Sequence, residues 1–210
     1  MVSVIMMKER LKQCKKPQGE AGLEIINDMN EHHEIISNFA MESISLDEDS
    51  HVIDIGCGGG VNIEKFLKRC PMGVVDGLDY SSLSVDESIK RNMIAVDEGR
   101  CHVYKANVLD IPLDDGIYDL ASAFETIYFW NDLNKAFGEV YRILKDDGRF
   151  MIACDTDGNN PNDQKWVNIF DDITVYTKDE LTQILKEVGF KKVDVFHKKE
   201  NYLLTLVAYK

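Results

Sequence analysis

The stretch Val52-Ile53-Asp54-Ile55-Gly56-Cys57-Gly58-Gly59-Gly60 (52–60) decides the fold of this 210-residue chain. Its apolar half predicts a buried strand over 51–56, and the glycines that follow let the backbone pass close to a ligand where a Cβ would clash. A helix with an apolar face of Ile63, Phe66 and Leu67 begins at once, and its N-terminus offers unpaired N–H groups. This order predicts a ligand site at the carboxyl end of the first strand.

Outward from this stretch, apolar strands alternate with amphipathic helices. Only Lys198-Lys199-Glu200 separates the last two strands, which is too short for a parallel crossover and therefore predicts an antiparallel hairpin. Five βα units followed by that hairpin define an α/β fold, a Rossmann-like doubly wound sheet with one reversed strand. The strands are predicted at 51–56, 73–79, 101–106, 117–123, 148–154, 191–197 and 201–209.

The first 49 residues contain no convincing strand. Apolar residues at helical spacing predict one helix from about Gly22 to Ser43. We therefore expect residues 1–49 to form a helical cap within the same domain as residues 50–210.

Charge and cysteine usage restrict the function. The chain has 24 Lys and Arg against 37 Asp and Glu, a net charge of −13, which argues against nucleic acid and against anionic membranes as partners. Five scattered cysteines without a CxxC pair predict reduced thiols rather than a disulfide framework or a zinc site. The apolar stretch from Val2 to Met7 is too short for a signal peptide, so a cytoplasmic protein is expected.

The carboxylates near the glycine loop indicate the ligand. Asp54 lies two residues before the first glycine, where it would repel a dinucleotide pyrophosphate but can bind a cationic amine. Asp79 ends the second strand, nineteen residues past Gly60, where a carboxylate can accept both hydroxyls of a ribose. S-adenosylmethionine carries an amino group, an adenosine and no phosphate, so charge favours it. A nicotinamide-dependent oxidoreductase is the less favoured alternative.

With these residues in place, the chain resembles the class I S-adenosylmethionine-dependent methyltransferases over residues 51–210. The resemblance rests on VIDIGCGGG, GLDYS (77–81), ANVLDIPL (106–113), YDLASAFE (118–125) and LTQILKEVGFKKV (181–193). It implies sheet order 3-2-1-4-5-7-6 with strand 7 antiparallel. A KPxGxxG…MNxxH pattern (16–33) and the FETIYFW string (124–130) also resemble a subgroup of prokaryotic small-molecule methyltransferases.

The resemblance implies a set of residues that bind S-adenosylmethionine and its product S-adenosylhomocysteine, without a metal. Asp54 would hold the amino group, partly through water, Asp79 the ribose hydroxyls and Asn107 the adenine amine. The full set is Asp54, Gly56, Cys57, Gly58, Gly60, Asp79, Tyr80, Asn107, Val108 and Phe124.

The methyl acceptor is expected to be a small molecule, since the signature strings for amide, exocyclic base amine, catechol and cytosine methylation are missing. His33 is the first choice for a general base, because its pKa lies near working pH. The alternative is a buried, hydrogen-bonded structural histidine.

Glu125 and Tyr128 are the other candidate catalytic residues, and Asn30, Trp130 and Tyr176 the candidate substrate contacts. The alternative for Trp130 is that its ring packs against the start of the next helix and has no role in binding. Tyr176 precedes a T-x-x-E capping box, which favours a structural position. A monomer or homodimer is expected, and a non-catalytic S-adenosylmethionine-binding domain remains the alternative function.

Overall fold

The computed structural model describes residues 8–161, 163–170 and 172–210, so the predicted Val2–Met7 stretch lies outside the described residues. Seven strands form one sheet in the order β3-β2-β1-β4-β5-β7-β6. The strands are β1 (His51–Ile55), β2 (Val74–Asp79), β3 (Val103–Lys105), β4 (Tyr118–Phe124), β5 (Leu144–Cys154), β6 (Lys192–Lys198) and β7 (Leu203–Tyr209).

The direction of the strands confirms the predicted sheet. Strand β1 is parallel to β2 and β4, and β4 is parallel to β5. Strand β7 lies antiparallel between β5 and β6, because only residues 199–202 connect β6 to β7. The Rossmann-like doubly wound α/β fold and its predicted strand order are therefore correct.

Helices cover both faces of the sheet, as a largely parallel sheet requires. One apolar core lies between the sheet and the helices that carry Phe137 and Leu181, and the other beneath those that carry Ile36 and Phe66. The helices are α1 (Gly19–His32), α2 (Glu34–Glu42), α3 (Val61–Arg69), α4 (Ser82–Arg91), α5 (Met93–Asp97), α6 (Leu133–Ile143), α7 (Asp163–Ile169) and α8 (Lys178–Val188).

Two elements differ from the sequence prediction. The single helix expected over 22–43 is divided at His33, whose φ of −83° and ψ of 3° are not helical. Three of the four residues at that point, Asn30, His32 and His33, are weak helix formers. The third of the five expected βα units lacks its helix, since β3 reaches β4 through the loop 106–117, where Pro112 and Gly116 disfavour a helix.

The segment before α1 is fixed to the end of β2. The hydroxyl of Ser81 donates to the carbonyl oxygen of Pro17 at 2.8 Å, and the hydroxyl of Tyr80 donates to the carbonyl oxygen of Lys15. Gly22 allows this approach, because a Cβ there would lie 2.7 Å from the carbonyl carbon of Pro17. None of the described helices combines the length and the apolar character needed to cross a membrane.

Candidate functional site

A cavity of about 290 Å³ lies at the carboxyl ends of the central strands. Residues from β1, β2 and β4 and the loops after them line it, together with residues from the segments 14–37, 166–170 and 173–175. The predicted site residues that line it are Asn30, His33, Gly56, Cys57, Gly58, Asp79, Tyr80, Asn107, Val108, Phe124, Glu125, Tyr128 and Trp130.

The glycine loop follows β1 in a left-handed backbone conformation. Gly56 has a φ of +76° and Gly58 a φ of +52°, both in the region that favours glycine. The amides of Gly56 and Cys57 donate to the carbonyl oxygen of Leu78, at 2.7 and 3.1 Å, which ties the loop to β2. A Cβ at Gly56 would overlap Thr126, whereas one at Gly58 would meet nothing within 4 Å. Gly58 therefore faces open space within the cavity.

Asp79 is held at the end of β2 by two backbone amides. Its carboxylate accepts from Gly58 at 3.1 Å and from Ser81 at 2.8 Å, and the residue is only 8% exposed. Burial raises the pKa of this carboxyl above its ordinary value, although the backbone hydrogen bonds oppose the effect. Each oxygen keeps a lone pair for a ligand hydroxyl.

Asp54 and Gly60 do not line the cavity. Asp54 is 1% exposed and accepts a hydrogen bond from the hydroxyl of Ser122 at 2.8 Å. Burial raises its pKa to about 7, and the negative charge of Asp79 adds to this. Gly60 begins α3, where a Cβ would overlap Ser88, so its position meets a packing requirement. The role predicted for Asp54 is partly through water and needs no direct contact, whereas the predicted lining position of Gly60 is not found in the cavity.

The adenine end of the predicted site has an amide and an aromatic ring. The side-chain oxygen of Asn107 accepts from the amide of Leu109 at 3.0 Å, which fixes its orientation and leaves one lone pair. The ring of Tyr80 lies under the ammonium group of Lys16, at 5.4 Å. Phe124 is buried against the ring of Phe66, with centroids 6.2 Å apart.

Glu125 follows β4 in a strained conformation, with a φ of +54°. Its amide donates to Ala153 at 3.0 Å, and its carboxylate accepts from the amide of Asp155 and, at 3.4 Å, from the hydroxyl of Tyr128. Burial and the charge of Asp155 raise the pKa of Glu125. The pKa of Tyr128 is also raised, chiefly by burial.

His33 lies where α1 meets α2, with its side chain in the cavity wall. Burial lowers its pKa, against the opposing charge of Asp155, so the ring is neutral at pH 7. Within the described chain its ring makes no hydrogen bond. That feature argues against the hydrogen-bonded structural histidine.

Trp130 and Tyr176 have largely structural surroundings. Trp130 lines the cavity but is 9% exposed and packs edge-on against Phe137, with centroids 6.1 Å apart. The predicted contact of Tyr176 is not formed, since this side chain packs against the core and does not line the cavity. Thr177 and Glu180 form the predicted capping box directly after it, and Ile173 and Val175 line the cavity instead.

Sequence reasoning missed several residues of the cavity. Asp155 comes directly after β5, so the rule that ligands bind at carboxyl ends of parallel strands could have found it. Lys15, Trp166 and Phe170 lie in covering segments whose position follows only from tertiary packing. Within residues 8–161, 163–170 and 172–210, no group of three His, Cys, Asp or Glu side chains is arranged to hold a metal ion.

The chain is similar to known methyltransferases. Residues 53–152 match the family described as a methyltransferase domain. The Bacillus subtilis protein YrhH, which bears a methyltransferase name, is 29% identical over 58% of this chain and 66% of its own. The O-methyltransferase resE of Aspergillus sclerotiorum is 25% identical over 75% of this chain and 61% of its own. The chain thus spans less than two thirds of the length of these curated relatives.

A solved structure agrees with the fold. A SAM-dependent methyltransferase from Aquifex aeolicus superimposes with a TM-score of 0.72 over 89% of this chain and 97% of its own, at 19% identity. The sheet order is the Rossmann-like one predicted from the sequence, and residues 53–152 are similar to a methyltransferase domain. All of these similarities are to methyltransferases, in agreement with the predicted enzyme class.

Proposed function

We propose that the chain transfers a methyl group from S-adenosylmethionine to a nitrogen, oxygen or sulfur atom of a small molecule. The observation that carries the proposal is one cavity that the glycine loop and Asp79 line together with His33 and Glu125. When bound, S-adenosylmethionine supplies a methyl group on a good leaving group. The protein has mainly to align the reactants and exclude water, and such positioning can lower the activation free energy by about 7–11 kcal/mol.

The residues at the loop fit this ligand. Gly58 leaves open space where a side chain would stand, and Asp79 presents two fixed oxygens to a pair of hydroxyls. In this proposal Gly56, Cys57 and Gly58 hold the methionine and ribose portions. Tyr80, Asn107, Val108 and Phe124 line the adenine portion. Asp54 acts through water from beneath the loop.

The acceptor would bind beside His33 and Glu125. The two strings that resemble the methyltransferase subgroup both contribute residues to this cavity. Asn30 and His33 come from the KPxGxxG…MNxxH pattern, and Glu125, Tyr128 and Trp130 come from the FETIYFW string. His33 would accept a proton, and Asn30 would orient the acceptor. Residues 1–49 act as a cap over the domain of residues 50–210, and a cytoplasmic enzyme with a small-molecule substrate is proposed.

Titration of the purified chain with S-adenosylhomocysteine in a calorimeter tests the proposal, with NAD as the control ligand. We expect binding of S-adenosylhomocysteine alone. Asp79→Ala should lower that affinity by about tenfold or more, because it removes acceptors worth about 1.5–3 kcal/mol. Binding of NAD instead, or of neither ligand, would contradict the proposal.

A further inference from the structure

The part of the cavity that we assign to the acceptor has two carboxyl groups at the ends of neighbouring strands. Glu125 follows β4 and Asp155 follows β5, and the amide of Asp155 donates to the Glu125 carboxylate. Burial, together with the negative charge of Asp155, raises the pKa of Glu125. A cation bound between the two groups would relieve that repulsion.

The protein supplies no such cation in its described part. The two lysines that line the cavity have other partners, since Lys15 pairs with Asp172, and Lys65 donates to Ser37 and Asn38 at 2.9 Å each. Neither Glu125 nor Asp155 forms an ion pair with a lysine or arginine among the residues that the structure describes. The charge of this part of the cavity is thus complementary to a positively charged ligand.

The walls beside these carboxyl groups are apolar. Phe129 and Phe170 pack edge to face with centroids 5.3 Å apart, and Trp166, Ile173 and Val175 line the same side. Such walls accept an uncharged hydrocarbon body, and their ring faces also attract a cation.

His33 provides a proton acceptor in the same cavity. Its ring is half-buried and makes no hydrogen bond within the described chain, so a nitrogen lone pair is available to a ligand. The burial that lowers its pKa keeps the ring in the neutral form that accepts a proton.

We propose that the methyl acceptor is a small primary amine with an apolar body of about one ring, bound as an ammonium ion against Asp155 and Glu125. The inference rests on the proposed function and specifies its substrate class. The ammonium proton passes to His33 and then to solvent, which frees the nitrogen lone pair. That lone pair forms the new N–C bond as the S–C bond of the donor breaks, and the electron pair of the S–C bond remains on sulfur.

Calorimetry on the full chain saturated with S-adenosylhomocysteine tests the substrate class. Phenethylamine, 2-phenylethanol and 3-phenylpropionate share a ring and differ in charge. We expect the amine to bind about tenfold or more tightly than the alcohol, and the acid not to bind. Equal or better binding of the alcohol or the acid would overturn the inference alone. Failure of S-adenosylhomocysteine itself to bind would overturn the proposed function and the inference with it.

Substitution of Asp155 tests which cation its carboxylate binds, the ammonium of the acceptor or the sulfonium of the donor. Asp155→Asn should weaken phenethylamine binding by about tenfold or more and leave the affinities for S-adenosylmethionine and S-adenosylhomocysteine unchanged. Asp114→Asn, at an exposed aspartate outside the cavity, is the matched control and should change none of the three. Weaker binding of S-adenosylmethionine alone, with the amine unaffected, would assign the carboxylate to the sulfonium and overturn the inference.

Discussion

Replacement of Asp54 by asparagine should stabilise the protein, and the gain should grow with pH. Asp54 is fully buried beneath the glycine loop, where burial raises its pKa from 3.8 to about 7. The folded state therefore binds its proton more tightly than the unfolded state does. The stability that this proton provides is complete below pH 3.8 and is lost as the pH rises through 7.

The magnitude follows from the two pKa values. Each pKa unit corresponds to about 1.4 kcal/mol, so ionisation of Asp54 in the folded protein costs about 4 kcal/mol in full. Between pH 5 and pH 8 the difference in unfolding free energy between Asp54→Asn and the wild type should rise by about 2–3 kcal/mol in favour of the variant. The asparagine oxygen can still accept the hydrogen bond from Ser122, so packing is retained.

Urea denaturation at pH 5, 6, 7 and 8 measures this difference, with Asp114→Asn as the control. The exposed control should show a constant difference from the wild type across the same range. A difference for Asp54→Asn that does not change with pH would refute the reasoning, because it would mean that Asp54 is ionised in the folded protein throughout.

Two further predictions concern the loop and the last helix. Gly56→Ala and Gly58→Ala both place a Cβ at a positive φ, which costs about 1–2 kcal/mol, but only the first also overlaps Thr126. Gly56→Ala should therefore lose more stability in urea denaturation by about 1–3 kcal/mol, and equal losses would contradict the account of the loop. Thr177→Ala should cost about 1 kcal/mol by removing the cap of α8, with S-adenosylhomocysteine affinity unchanged. A loss of affinity without a loss of stability would instead place this segment in the binding site.

The sheet could be predicted because its strands are buried and its connections are short. The apolar runs around Ile53 and Ile152 have no other stable location than a covered sheet, and the hairpin after β6 permits only an antiparallel pair. The loop 106–117 could not be assigned, because Val108, Leu109 and Ile111 pack on the core without helical periodicity. Burial of this loop depends on tertiary contacts rather than on local pattern.

Site residues could be predicted where they lie at the end of a strand or in the loop after it. Gly58, Asp79 and Glu125 lie at such positions, and all three reach the cavity. Tyr176 was misplaced, because whether a side chain before a helix faces the cavity or the core depends on one step of backbone register. The roles of the covering residues, such as Trp166, depend on how distant segments meet in space.

The order of strands in the sheet also has a consequence for synthesis on the ribosome. Leu120 of β4 pairs beside Val52 of β1 but lies 68 positions later in the chain. At about 5–20 residues per second, the free edge of β1 waits about 3–14 s for its neighbour after leaving the ribosome. During that interval β1 can pair only with β2, and β2 with β3, so the half of the sheet with the glycine loop and Asp79 is the first that the nascent chain can assemble.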